Sequence, residues 1–331
     1  MLLIAEIAQA HEGSLGIAHS YIDALAKTGV DAVKFQVHIA EAESSIYEPF
    51  RINFSKQENS RYDYWKRMEF STEQWRELKT HCDKVNIEFM ASPFSNTAVD
   101  LLEELDVKRY KIGSGEVNNF LLLEKIARTG KPIILSSGLS SFEELDDTVK
   151  FLKNKNIEFS ILQCTTSYPT VPENYGLNVI KEMKKRYEVP IGYSDHSAKL
   201  ETGIAAITLG AEILEFHAVF NREMFGPDAS SSLELNEIKQ LVSSIRNLEN
   251  ALQHKVDKDD NSSLLDLKEI FEKSLAVNKD LPLGHIITFE DLESKKPRGY
   301  GIPAFQFQQV IGKSIKSELK KWDFLKEDHI H

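Results

Sequence analysis

The stretch VPIGYSDHSAKLETGIAAITLGAEILEFHA, residues 189–218, decides the fold. It opens on a short apolar run at 189–192 and closes on another at 212–218, each ending in small or polar residues. Runs of that length, so bounded, read as buried strands, and the segment between them has room for a helix. Strand, helix, strand is the repeating unit of parallel α/β folds. Outward from it the same unit recurs, with apolar runs at 2–7, 32–36, 88–91, 109–112, 132–136 and 159–163, which makes eight strand candidates. Helical spacing lies between them, as in Trp75, Leu78 and Cys82, in Leu145, Val149 and Leu152, and in Leu235, Ile238, Leu241, Val242, Ile245 and Leu248. Two helix starts carry capping boxes, Ser71 with Gln74 and Ser141 with Glu144, in which the serine satisfies a free backbone N–H and the longer side chain reaches back. Eight units in about 250 residues match a (β/α)8 TIM barrel, and the count favours that closed form over a doubly wound sheet.

The chain turns polar and charged at 254–263, and its last 58 residues, from Ser274, have the texture of a small β-rich module. We expect a barrel over 1–255, a linker over 256–273 and the module over 274–331. A module so small would be marginal alone and should lean on the barrel or on a second subunit.

Composition narrows the function. With 41% hydrophobic and 27% charged residues among 331, the chain has the makings of a sizeable core. Its formal charge of −11, without a basic run interleaved with aromatics, argues against a nucleic-acid partner. Cys82 and Cys164 are far apart, so neither a disulfide framework nor a structural zinc site is legible. No basic leader and no apolar run approaching about 20 residues is seen, so we expect a cytoplasmic protein without a membrane partner.

A barrel builds its active site at the C-terminal ends of its strands. The polar residues that close the runs are Glu6; Lys34 and Gln36; Ser92; Lys111, Ser114 and Glu116; Ser136 and Ser137; Thr165, Thr166 and Tyr168; Ser194, Asp195 and His196; and His217. Two lysines among several hydroxyls suit an anion: Lys34 and Lys111 supply charge, while Ser92, Ser114, Ser136, Thr166 and Ser194 supply short donors. Gly113 and Gly115 would let backbone approach a ligand. His196 and His217 end neighbouring strands and could share a divalent cation whose other positions go to water or substrate, with Mn²⁺ favoured over Mg²⁺ on ligand type. Glu6 and Glu116 are acids at the mouth, placed either to move a proton or to pair with the lysines. Asp228, in a Gly-Pro-Asp turn, is placed to meet a polyol.

These residues resemble the sialic acid synthase family along nearly the whole chain. The motifs are Ile4-Ala-Glu-Ile-Ala-Gln-Ala-His-Glu-Gly13, Val33-Lys-Phe-Gln-Val-His38, Tyr110-Lys-Ile-Gly-Ser-Gly-Glu-Val-Asn-Asn119, Leu135-Ser-Ser-Gly138, Gln163-Cys-Thr-Thr-Ser-Tyr-Pro169, Gly192-Tyr-Ser-Asp-His196, Glu215-Phe-His217 and Gly226-Pro-Asp228, in the family's order. The tail, Lys295-Lys-Pro-Arg-Gly-Tyr-Gly-Ile302 and Val310-Ile-Gly-Lys313, resembles the family's C-terminal antifreeze-like (SAF, β-clip) domain. The resemblance implies condensation of phosphoenolpyruvate with an N-acyl amino sugar, either N-acetylmannosamine or a diacetamido-trideoxy hexose leading to legionaminic or pseudaminic acid. It implies that Lys34, Ser92, Lys111, Ser114, Ser136, Thr166 and Ser194 hold phosphoenolpyruvate. It makes His196 and His217 ligands of Mn²⁺ (or Mg²⁺ or Co²⁺), and puts Glu6 and Glu116 near the reacting carbons. Gln36, Tyr168 and Asp228 fall on sugar-binding positions. It further implies a homodimer with exchanged C-terminal domains, from which Arg298, or Lys296, reaches the partner's barrel. The sequence departs from the family at Ala10, Phe216 and Ala229, which are expected to flank the sugar. Two other readings stay open: a Schiff-base lysine at Lys34 or Lys111, and a sugar-phosphate-binding protein without turnover.

Overall fold

The structure, a computed structural model, describes residues 1–52 and 54–331 and divides into two compact units, Met1–His254 and Lys255–His331. In the first, all eight expected runs are strands: β1 (Leu2–Glu6), β2 (Ala32–Val37), β3 (Glu88–Pro93), β4 (Tyr110–Ile112), β5 (Ile133–Ser136), β6 (Phe159–Cys164), β7 (Ile191–Asp195) and β8 (Ile213–Val219). They form a parallel sheet in the order β3-β2-β1-β8-β7-β6-β5-β4, and β3 lies beside β4 to complete the ring of a TIM barrel. β7 starts later than the run at 189–192 suggested, because Pro190 has no N–H to give the ladder; its carbonyl still accepts from the Ile161 N–H.

The helices are α1 (Leu15–Ala26), α2 (Ala40–Glu43), α3 (Arg61–Met68), α4 (Thr72–Lys84), α5 (Asn96–Glu104), α6 (Phe120–Ala127), α7 (Phe142–Asn154), α8 (Leu177–Tyr187), α9 (Leu200–Thr208) and α10 (Leu235–Gln253). Both capping boxes form, at the starts of α4 and α7. The long β2–α4 connection, with α2 and α3 in it, has no counterpart in the sequence reading. Its Tyr64, Trp65 and Met68 make a small apolar cluster with Ala40.

Side chains alternate along each strand, and this decides what the barrel encloses. Ile4, Ala32, Met90, Ile134, Leu162 and Ile213 point inward as an apolar plug. One step further along the same faces come Glu6, Lys34, Ser92, Ser136, Cys164, Ser194 and Glu215, all buried, together with Lys111 of β4. The residues of the opposite face, among them Phe35, Tyr110, Tyr193 and Phe216, pack outward against the helices. Phe216 therefore does not flank a sugar; the period of two turns it away from the face that carries Glu215 and His217.

The second unit pairs β9 (Ser274–Val277) with β10 (Leu292–Lys295) antiparallel, around a core that includes Leu275, Val277, Ile287, Ile315 and Leu325. The segment expected as a linker contains helix α11 (Leu265–Phe271) and belongs to this unit.

Gly192 shows how little room the ring leaves. A Cβ there would lie 2.5 Å from the Ile213 carbonyl oxygen and against the Leu162 side chain, and backbone cannot step aside cheaply. Gly192→Ala is expected to lower unfolding stability by about 1–3 kcal/mol with an unchanged m-value in urea titration.

Candidate functional site

The barrel mouth is organised by four buried charges. Lys34 Nζ lies 2.5 Å from Glu6 Oε2 and 3.7 Å from Glu215 Oε2, while Lys111 Nζ lies 3.6 Å from Glu215 Oε1. Hydroxyls complete the layer: Lys111 Nζ donates to Ser136 Oγ at 2.6 Å, Ser194 Oγ donates to Glu215 at 3.0 Å, and Lys34 Nζ reaches Ser92 Oγ at 3.5 Å. Burial sets the proton affinities. It raises the Glu6 carboxyl against the pull of Lys34, and it holds the Lys111 ammonium below its ordinary value against Glu215. It would also lower Lys34 and raise Glu215. There the opposing charges win, Glu215 and Glu6 keeping Lys34 high, and Lys111 and Lys34 keeping Glu215 low.

Beside this layer the loop after β6 and the turn after β4 add donors. Gly138 N–H donates to Ser114 Oγ at 3.0 Å, and Thr166 Oγ1 is buried with no hydrogen-bond partner among the described residues. Gly138 is dictated by the crowding here, since a Cβ would come within 2.5 Å of Thr166 Oγ1 and 2.8 Å of Ser114 Oγ. Gly113 and Gly115 line the same opening.

One step higher are the imidazoles. His196 and His217 have ring centroids 5.2 Å apart, with Tyr168 4.2 Å from the first and 5.8 Å from the second. His196 Nδ1–H donates to the Thr165 carbonyl at 3.0 Å, which fixes that ring and turns Nε2 away from the backbone. Burial holds His217 well below its usual range. Burial would lower His196 too, but the Cys164 sulfur at 3.8 Å outweighs it and the ring is pushed up to about 9. Among the described residues no three His, Cys, Asp or Glu side chains are arranged as a ready metal shell. Two imidazoles with the remaining positions open nonetheless fit a first-row divalent ion, and ligation would release the His196 proton.

Over the histidines lies a cavity of about 280 Å³ whose lining includes Gln9, Gln36, Arg51, Ser114, Thr166, Tyr168, His217 and Asp228. Gln36 is held on both sides: its amide donates to Glu6 at 2.8 Å, and its carbonyl oxygen accepts from Gln9 at 2.9 Å. Arg51 stacks over the Tyr168 ring at 4.1 Å and donates to Asp228 Oδ1 at 2.9 Å. Ala10 and Ala229 line the neighbouring hollow beside His217.

Most of the residues expected at the site therefore meet. Lys34, Ser92, Lys111, Ser136, Ser194 and Glu6 share one layer; Ser114, Thr166, Gln36, Tyr168, His217 and Asp228 line the cavity above it, and His196 lies against Tyr168 and His217. Glu116 is in the turn after β4, half-buried, with its carboxylate accepting from Asn119 at 2.7 Å and raised by burial. Arg298 is in the second unit, paired with Glu272 at 2.7 Å. Sequence reasoning missed Glu215, Gln9, Arg51 and Gly138 as site residues. Glu215 had a usable signal, since it precedes His217 by two and must share its face.

The arrangement makes Glu215 the counter-charge of both lysines. Glu215→Gln is expected to cost about 3 kcal/mol of stability at pH 7, because Lys111 is left without a counter-charge in the interior while Lys34 keeps Glu6. Lys111 is then driven further below its unfolded-state value, so the unfolded chain binds more protons and stability rises with pH. Urea titrations should show the deficit full at pH 7 and shrinking as pH climbs toward the ordinary lysine value of 10.5.

Comparison with known proteins shows the family. The NeuB family model matches residues 21–257. The chain is 36% identical over 333 residues to human N-acetylneuraminate-9-phosphate synthase, covering 98% of this chain and 91% of that one. It is 33% identical over 332 residues to the N,N'-diacetyllegionaminic acid synthase of Campylobacter jejuni, covering 98% and 99%. Among solved structures, an N-acetylneuraminic acid synthetase from Leptospira borgpetersenii, in complex with citrate, superposes with a TM-score of 0.71 at 33% identity over 81% of this chain and 90% of that one. With a matched segment that takes in β2 to β8 and relatives aligned almost end to end, this chain belongs to the NeuB family.

Proposed function

We propose that the protein is a transferase that condenses phosphoenolpyruvate with an N-acyl amino sugar and water, giving a nine-carbon 2-keto-3-deoxy sugar acid and inorganic phosphate. The observation that carries the reading is two buried ammonium groups, Lys34 and Lys111, ringed by hydroxyls directly below two imidazoles and a polar cavity. Acceptors in this proposal are N-acetylmannosamine and related hexosamines, with a diacetamido-trideoxy hexose as the alternative in keeping with the legionaminic acid relative.

Lys34 and Lys111, with Ser92, Ser114, Ser136, Thr166 and Ser194, bind the phosphate and carboxylate of phosphoenolpyruvate. Thr166 Oγ1 supplies a donor that the described residues leave unclaimed. Gln36, Tyr168 and Asp228 orient the sugar so that its aldehyde carbon faces C3 of the enol. His196 and His217 would hold a divalent cation, Mn²⁺ in this reading, which supplies Lewis-acid polarisation of the aldehyde oxygen when bound. The new bond joins C3 to the aldehyde carbon and leaves C2 electron-poor. Glu6, held by Lys34 and Gln36 at the floor of the site, or Glu116 in the turn above, takes the proton from the water that adds at C2. Phosphate then leaves with its bridging oxygen by C2–O cleavage. No Schiff base is needed, and Lys111, although its proton affinity is lowered, is engaged by Ser136 and Glu215.

The same proposal takes the second unit as the antifreeze-like domain of a cytoplasmic homodimer that exchanges these domains, with Arg298 serving the partner's sugar. Light scattering at micromolar concentration should return twice the chain mass.

The decisive assay measures phosphate released from phosphoenolpyruvate with a panel of N-acyl amino sugars, after chelation and after Mn²⁺ is restored. Release is expected only with both sugar and metal, and His196→Ala and His217→Ala should each abolish it. Thr166→Val should raise KM for phosphoenolpyruvate by about tenfold, the worth of one hydrogen bond to a charged ligand, with a smaller change in kcat. Tight phosphoenolpyruvate binding with no release for any sugar would sink the reading in favour of a binding protein.

A further inference from the structure

On the outside of the barrel, away from the mouth, α1 and α4 pack side by side and turn two histidines toward each other. His19 Nδ1 and His81 Nδ1 are 2.8 Å apart, with ring centroids at 4.9 Å. The other nitrogen of His81, Nε2, lies 2.9 Å from Asp23 Oδ1. A carboxylate only accepts, so Nε2 carries the proton, and the tautomer leaves the Nδ1 lone pair aimed at His19. A carboxylate holding the far side of an imidazole is the arrangement that orients and strengthens a histidine ligand. Two ring nitrogens this close either share one proton or face one cation.

We propose that His19 and His81 form a second metal site, separate from the barrel mouth, for a borderline divalent cation of imidazole preference such as Zn²⁺, Ni²⁺ or Cu²⁺. Size supports it. With metal–nitrogen bonds of about 2.0–2.1 Å, two nitrogens 2.8 Å apart subtend close to a right angle, the angle between adjacent ligands in tetragonal and octahedral sites. Opening the pair by about half an ångström gives the tetrahedral angle that zinc favours. Among the described residues no third ligand converges on the pair. Glu77, however, is one turn before His81 on α4, exposed, and lines the same open groove, so it is free to rotate in as a third ligand, with water completing the shell. In the metal-free pair His19 Nδ1 carries the shared proton; a cation would displace it to Nε2 of the same ring, so that both Nδ1 lone pairs face the ion. Neither histidine belongs to the chemistry proposed above. The cation would tie α1 to α4 and stabilise the fold in proportion to its binding.

The test is calorimetric titration of Zn²⁺ into the chelated protein, with thermal unfolding recorded alongside. Wild type and His217→Ala should both bind at the outer site and gain thermal stability with Zn²⁺. His19→Ala and His81→Ala should each lose one equivalent and that gain, while keeping the wild-type near-ultraviolet circular dichroism. Should an alanine variant fail to fold, His81→Gln removes the ligand and keeps a donor for Asp23. Asp23→Asn should keep the equivalent but weaken it about 10- to 100-fold. Copper added to the His217→Ala protein should give an electron spin resonance spectrum with two imidazole nitrogens, and one fewer in His19→Ala/His217→Ala. Equal stoichiometry and affinity in wild type, His19→Ala and His81→Ala would overturn the proposal. So would an equivalent lost only on His217→Ala.

Discussion

The salt-bridged quartet of Glu6, Lys34, Glu215 and Lys111 is the constraint on which the rest of the barrel mouth depends. Each charge comes from a strand of the ring, two carboxylates balance two ammonium groups, and all four side chains are essentially withdrawn from water. At an effective dielectric of about 20, a pair 3.6 Å apart attracts by about 4–5 kcal/mol, and each ion costs several kcal/mol to desolvate. Such a cluster is tolerable only if every member keeps its partner. It fixes the relative positions of β1, β2, β4 and β8 at the level where a substrate must bind, and it is bought with stability that an all-apolar barrel would retain.

The layers below and above follow from this. The plug of Ile4, Ala32, Met90, Ile134, Leu162 and Ile213 closes the barrel's lower end and excludes water, so charges above it act at full strength. Above, the hydroxyls and the histidines have polar valence to spare. The quartet is neutral among itself. A ligand bearing phosphate and carboxylate therefore has to draw the lysines away from Glu6 and Glu215, and it does so only if other donors are waiting. Thr166 Oγ1, buried and unpartnered, is one such donor. That requirement selects for an anion with several acceptor oxygens rather than for a single carboxylate.

The fold was legible because it rests on periodicity and on local chemistry. Eight apolar runs at the right spacing give eight strands, and Ser71 with Gln74 and Ser141 with Glu144 announce two helices without help from the rest of the chain. The lysines and histidines were legible because they end strands, and strand ends converge in a closed barrel. Glu215 was hidden by its position inside a run that looked like core, and Phe216 was misplaced because the alternation was not followed across the motif. Arg51 had no signal at all: it comes from a connection with neither strand nor helix period, and its place is set by stacking on Tyr168 and pairing with Asp228.

That last contact explains why the reaction is more legible than the acceptor. The enolate-side groups are held by strands, whose geometry the sequence pattern dictates residue by residue. The cavity that the proposal gives to the sugar is closed by Phe50, Arg51, Ile52 and Phe54 and by Pro227 and Asp228, where chain direction depends on a few side-chain contacts. Arg51 and Asp228 satisfy each other across this opening, so a polyol must replace that pair with hydroxyls of matching donor and acceptor pattern. Small changes there, such as Ala10 or Ala229 beside His217, alter the shape of the opening without touching the quartet. Acceptor choice can thus change without any change to the charged floor, and chains about one-third identical to this one carry names of different sugar acids.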